Sequence, residues 1–226
     1  MKYRITGSTM QSLDVLLERG EAVFTEVGGM AWYRGDVDMK TNMPGGLMGG
    51  LSRALSGESL FLTTYTALSN QAVVTFTPET PGAIVARDLA PGETLIAQRD
   101  AFMCAQQGVQ VAIHFKQRLG VGLFGGEGFI LQRITGPGVV FFEIDGEVRE
   151  VELAAGEKIC VDPGHIAMFD ATVTHSIERV KGVTNVLFGG EGLFLATLTG
   201  PGKVWLQTMP FSNLMAKIIA RMPKSS

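Results

Sequence analysis

The sequence predicts an all-β protein, a pseudo-three-fold repeated β-sandwich or barrel. A short helix near residues 46–55 and a C-terminal helix complete it. Three observations predict this fold. The stretch GLFGGEGFILQRITGPG at 122–138 returns as VLFGGEGLFLATLTGPG at 186–202, 64 positions later (186 minus 122). The apolar runs are short, β-branched or aromatic, and separated by Gly or Pro-Gly. Glycine is abundant, with 29 residues where average usage of about 7% would give roughly 16. All-β chains need many tight turns, and glycine supplies them.

The repeat has a third, worn copy. Ser56–Tyr65 aligns with Gly125–Ile134 and with Gly189–Leu198. A Gly-Glu pair precedes each copy, at 20–21, 92–93 and 156–157. From the first Glu of each unit to the second is 37, 34 and 34 positions (58−21, 127−93, 191−157). Repeats of this size signal stacked or pseudo-symmetric units. We therefore expect a single β domain over 1–208, made of repeats at about 1–72, 73–143 and 144–208, with a helical tail at 209–226.

Within the repeats, GETLIAQ, GVQVAIHF, GFILQRI, GVVFFEI and GKVWLQT read as strands, and EVREVEL alternates as a half-wet strand does. Pro-Gly pairs at 81–82, 91–92, 137–138, 163–164 and 201–202 mark turns. The spacing predicts about a dozen or more strands, with sheet edges closed or covered. Two segments depart from the β pattern. MPGGLMGGLSRALSGES at 43–59 places Leu47, Leu51 and Leu55 four apart, a short helix after a glycine hinge. In the tail, Phe211, Leu214, Met215, Ile218, Ile219 and Met222 make one apolar stripe, with Asn213, Lys217 and Arg221 opposite.

Composition narrows the function. The 226 residues are 46% hydrophobic and only 18% charged, against about 25% charged in a typical soluble domain. Surface charge is short, which points to surface buried against copies of the same chain, a trimer or higher homo-oligomer. Net charge is −3, the wrong sign for a nucleic-acid binder, whose affinity comes from cations on phosphates. The start, MKYRITGSTM, has no apolar core of a signal peptide, and no apolar run approaches the roughly 20 residues of a membrane helix. A cytoplasmic location is expected. Cys104 and Cys160 form no CxxC and no metal spacing, and read as reduced core thiols.

Glu58, Glu127 and Glu191 share one position in the three units and are candidate binding residues. On the functional reading they form a ring of carboxylates that binds a cation or polar ligand. On the structural reading each accepts backbone N–H groups of its own glycine turn. The second is preferred, because three copies of a turn need three copies of its brace. The glycine pairs lack GK[ST] and a GxGxxG leading into a long helix, so no nucleotide site is expected.

There are three histidines, His114, His165 and His175, and no HxH. Metal chemistry needs three or four converging N, O or S ligands; no metal, cofactor or catalytic set is expected. His165 follows the turn signature Asp162-Pro163-Gly164, where the other units carry Gly29 and Ala101. It is the candidate binding residue special to one unit, although a turn histidine bonded to backbone is the preferred reading. His165 and His175 flank an expected hairpin that could bring them together.

GGLMGGLSRALSGESLFLTTYTA, GLFGGEGFILQRITGPG, LFGGEGLFLATLTGPGKVWLQT and VDPGHIAMFD together resemble the uncharacterised bacterial family grouped with the altered-inheritance-of-mitochondria (twenty-fourth) protein, over about Tyr3 to Thr208. The resemblance implies a fold like the tryptophan RNA-binding attenuation protein, with double-stranded β-helix character. It implies no enzyme activity. Its eukaryotic members are tied to mitochondrial inner-membrane organisation, a location not carried over. RNA binding does not follow from fold analogy, and 19 Lys+Arg stand against 22 Asp+Glu. The first expectation is a non-enzymatic oligomeric scaffold or interaction module. A small-ligand or metal-binding barrel using His165 with nearby carboxylates is the second, its ligand unspecified. A peripheral membrane organiser acting through the tail helix is the third and less favoured.

Overall fold

The computed structural model describes residues 1–26, 28–42, 62–117, 128–179, 194–219 and 221–222. The helix expected near 46–55 lies outside them, as do Glu58, Glu127 and Glu191. The described residues form nineteen strands and one short C-terminal α-helix, so the protein is mostly β-sheet.

The chain forms two compact units. The first comprises 1–94, 100–113 and 134–144; the second comprises 95–99, 114–133 and 145–226. In the first unit, a four-stranded sheet has the order β1 (Lys2–Thr6), β2 (Ser12–Leu17), β7 (Ala72–Phe76), β4 (Met30–Arg34). A six-stranded sheet has the order β5 (Val37–Asn42), β6 (Leu62–Ala67), β3 (Ala22–Glu26), β10 (Phe102–Gln106), β13 (Gly138–Asp145), β8 (Gly82–Leu89). The second unit holds most of a six-stranded sheet ordered β11 (Gln110–Gln117), β12 (Phe129–Thr135), β9 (Thr94–Gln98), β16 (Ile166–Asp170), β19 (Gly202–Gln207), β14 (Val148–Leu153). Beside it are a three-stranded sheet, β15 (Lys158–Val161), β18 (Phe194–Thr199), β17 (Thr174–Arg179), and the helix α1 (Phe211–Ile219).

Alternation drives the strands into place. β2 buries Leu13, Val15 and Leu17 and turns Ser12, Asp14 and Leu16 away, and β6 buries Thr63, Tyr65 and Ala67 in the same rhythm. In the first unit Leu13, Val15, Leu17, Tyr65 and Ala67 pack with Val74, Phe76 and Phe141. In the second, Phe129, Leu131, Phe169, Leu198 and Val204 do the same work. Each such fully buried side chain stabilises by about 1.5–3 kcal/mol relative to exposure.

One irregularity recurs at three places. β4 pairs with β7 across a register shift between Met30 and Trp32; β10 pairs with β13 across one between Phe102 and Cys104; β16 pairs with β19 across one between Ile166 and Met168. A shift of this kind adds a residue to one strand and bends it. Placed at the same point of three strand pairs, it bends them alike.

Three expectations need correction. Cys104 is fully buried, but Cys160 is exposed, because β15 is the edge strand of a three-stranded sheet and Cys160 faces Thr197 on its outer side. β16 and β17 are not a hairpin: β16 pairs with β19 and β9, and β17 pairs with β18. Among the described residues the sheet edges are not all closed or covered, since β4 ends its sheet with Trp32 57% and Tyr33 49% exposed.

Candidate functional site

The Glu of each Gly-Glu pair at 20–21, 92–93 and 156–157 braces a turn. Glu21 accepts from the Glu18 N–H at 2.9 Å, Glu93 from the Ala90 N–H at 2.9 Å, and Glu157 from the Ala154 N–H at 2.8 Å. The preceding glycines, Gly20, Gly92 and Gly156, have φ of 88°, 82° and 77°, a region that L side chains enter only at a cost. Each turn is also clamped to the end of a neighbouring strand. Ala67 N–H donates to Glu21 O (3.0 Å), Gly136 N–H to Glu93 O (3.0 Å) and Gly200 N–H to Glu157 O (2.9 Å). These three carboxylates hold backbone. Glu58, Glu127 and Glu191, the second Glu of each unit, lie outside the described residues.

His165 sits in a single turn of 3₁₀-helix, Pro163–His165, capped by Asp162, whose carboxylate accepts the Gly164 N–H at 3.0 Å. Its Nδ1 lies 2.7 Å from the Gln207 carbonyl oxygen. A carbonyl only accepts, so Nδ1 carries the proton. Its Nε2 faces the Asn213 side-chain amide of α1 at 3.5 Å. The Gln207 side chain donates to the Gly164 carbonyl (2.8 Å) and accepts from the Asp145 N–H (3.1 Å). Asp145 in turn accepts the Phe211 N–H at 2.7 Å, at the start of α1. The arrangement ties the turn, the end of β19 and the helix start into one network of backbone bonds.

The structure does not bring His165 and His175 together. His175, on β17, instead packs its ring against Phe115 (centroids 5.0 Å, edge-on), Phe169 (5.6 Å) and His114 (5.6 Å). An Arg133 N–H donates to His114 Nδ1 at 3.1 Å. Burial, then the Arg133 charge, holds the His114 pKa below its ordinary value; burial, then His114, does the same for His175. Both imidazoles are thus poised to stay neutral. The sequence reading missed this pair because its two residues lie 61 positions apart (175 minus 114) on separate strands. The alternating pattern of β11 and β17 was the available signal: it sets Phe115, His175 and Ile177 half-buried among exposed neighbours. Among the described residues no three His, Cys, Asp or Glu side chains group as a metal site would require.

A model of the family described as Mitochondrial biogenesis AIM24 matches residues 3–209. The chain belongs to this family. The AIM24 match reaches into both compact units and stops just before α1. An uncharacterised protein of Streptococcus pyogenes serotype M6 is 27% identical over 236 residues, spanning 100% of this chain and 93% of that protein. A structural-genomics crystal structure of another Streptococcus pyogenes protein matches with a TM-score of 0.78 at 22% identity, over 98% of this chain and 99% of that one. This likeness shows the fold, and neither it nor the AIM24 match assigns a biochemical activity.

Proposed function

We propose that this AIM24-family protein is a non-enzymatic oligomeric scaffold, an interaction module assembled from copies of itself as a trimer or larger. In this reading the chain is one β domain over 1–208 built of three modules, with attenuation-protein-like, double-stranded β-helix character, working in the cytoplasm without nucleic acid. The recurring register shifts and the three braced Gly-Glu turns support the three modules. The observation that carries the function is β4, an edge strand with Trp32 and Tyr33 turned to solvent. Natural sheets blunt such an edge or cover it, and large aromatics on a surface mark contact sites. Of the polar side chains singled out above, Glu21, Glu93, Glu157 and His165 are engaged with backbone. Light scattering tests the proposal: the particle mass should be a multiple of the 24.2 kDa chain. A clean single-chain mass at working concentration would overturn it.

A further inference from the structure

We infer that α1 and the turn that follows it bind an anionic lipid surface, with Phe211, Leu214, Ile218, Ile219 and Met222 set below the headgroups and Lys217 and Arg221 against lipid phosphates. The inference goes beyond the scaffold reading and does not depend on the number of copies. It concerns a segment that follows residues 3–209, the span of the family match.

The helix is turned the opposite way from a core helix. A surface helix of a globular protein sets its apolar stripe on the core and its polar side in water. α1 is fastened by polar groups instead. Asp145 accepts the Phe211 N–H at 2.7 Å, the Asn213 amide faces His165 Nε2 at 3.5 Å, and Ser212 lies against Gly164. Ser212 and Asn213 are accordingly half-buried. Of the apolar stripe, only Met215 is half-buried; Phe211, Leu214, Ile218, Ile219 and Met222 are exposed. The helical path continues past Ile219, since Arg221 N–H donates to Ile218 O (3.0 Å) and Met222 N–H to Ile219 O (3.1 Å).

The placement of charge decides what this face meets. Phe211, Leu214 and Ile218 stand three and four residues apart on one face. Lys217 and Arg221 are three and seven residues beyond Leu214 and exposed, so both charges border the Leu214 side of the stripe. From 209 to 226 the chain has three basic residues, Lys217, Arg221 and Lys224, and no Asp or Glu. The other residues carry 16 Lys+Arg (19 minus 3) against 22 Asp+Glu. An apolar face with a cationic border fits a layer that is phosphate at its surface and hydrocarbon beneath, where long basic side chains reach back to the headgroups. A protein groove would have to offer a carboxylate at each charge, whereas an anionic bilayer offers phosphate everywhere. The nine residues of α1 span about 14 Å, under half of a hydrocarbon core of roughly 30 Å, so the helix lies along the surface. Among the described residues no helix is long and apolar enough to cross.

The test is flotation of the full-length protein at low salt with two vesicle types, phosphatidylcholine alone and equal parts phosphatidylcholine and phosphatidylglycerol. The expected result is flotation with the anionic vesicles and at least about tenfold less with the neutral ones. The double variants Leu214→Gln with Ile218→Gln, and Lys217→Gln with Arg221→Gln, should each lower the bound fraction at least about tenfold. All four side chains are exposed, so both variants should keep the wild-type β-sheet signal in circular dichroism. Wild-type protein that stays unbound with anionic vesicles overturns the inference. Equal flotation with both vesicle types overturns it, and so does binding that either variant retains. If the Leu214→Gln, Ile218→Gln variant has a smaller particle mass without vesicles, the face belongs to a second copy and the inference fails. The wild-type particle mass, measured without lipid, judges the scaffold reading separately.

Discussion

Glu157 shows at one residue how the fold spends its charge. Its carboxylate closes a four-residue turn onto the Ala154 N–H, beside a glycine at φ 77°, as a capping side chain does at a helix start. Glu157→Ala should cost about 1 kcal/mol, the usual value for such a cap, and Glu157→Gln should cost less because an acceptor remains. Denaturant midpoints at constant slope would measure both; an unchanged midpoint in the Ala variant would show that the brace contributes nothing. His114 and His175 make a different statement. Both pKa values are lowered in the folded protein, chiefly by burial, so below the ordinary histidine value of about 6.5 the unfolded chain binds more protons. Their contribution is whole above that pH and is lost as the pH falls through it toward the lowered values. The thermal midpoint should therefore drop between about pH 7 and pH 5.5, and the drop should shrink in His175→Phe, which keeps an aromatic ring against Phe115 and Phe169. A His175→Phe profile parallel to wild type would remove the pair from the account.

At the scale of elements, the strands were legible because alternation and Pro-Gly punctuation are local signals. GVVFFEI is β13 and GKVWLQT is β19, and EVREVEL became β14 with its polar residues outward. The tail helix was legible from its stripe and begins at Phe211, where Asp145 accepts the first N–H. What the stripe faces was not legible. Phe211, Leu214, Ile218, Ile219 and Met222 are exposed, and amphipathic periodicity reports that a helix has an apolar face without naming what it meets. The supposed His165–His175 hairpin failed for a related reason. Sequence neighbours need not pair, and here β16 and β17 enter different sheets. His165's partners were hidden because two are a backbone carbonyl 42 positions away and a helix side chain 48 positions away.

For the whole molecule, the three Gly-Glu stretches of the sequence each lead into a strand pair with a register shift, at Met30/Trp32, Phe102/Cys104 and Ile166/Met168, while the chain divides into two compact units. The open edges could not be read this way. Among the described residues, only the strand order shows that β4 and β15 end their sheets. The proposed scaffold places contacts between copies at such an edge. Hydrogen exchange at Met30–Arg34 and Lys158–Val161, followed across the concentration at which particles dissociate, tests this most directly. Assembled protein should protect the open-edge amides of both segments as it protects β10 and β16, and dilution should release the two segments together. Fast exchange in both segments at every concentration would contradict it.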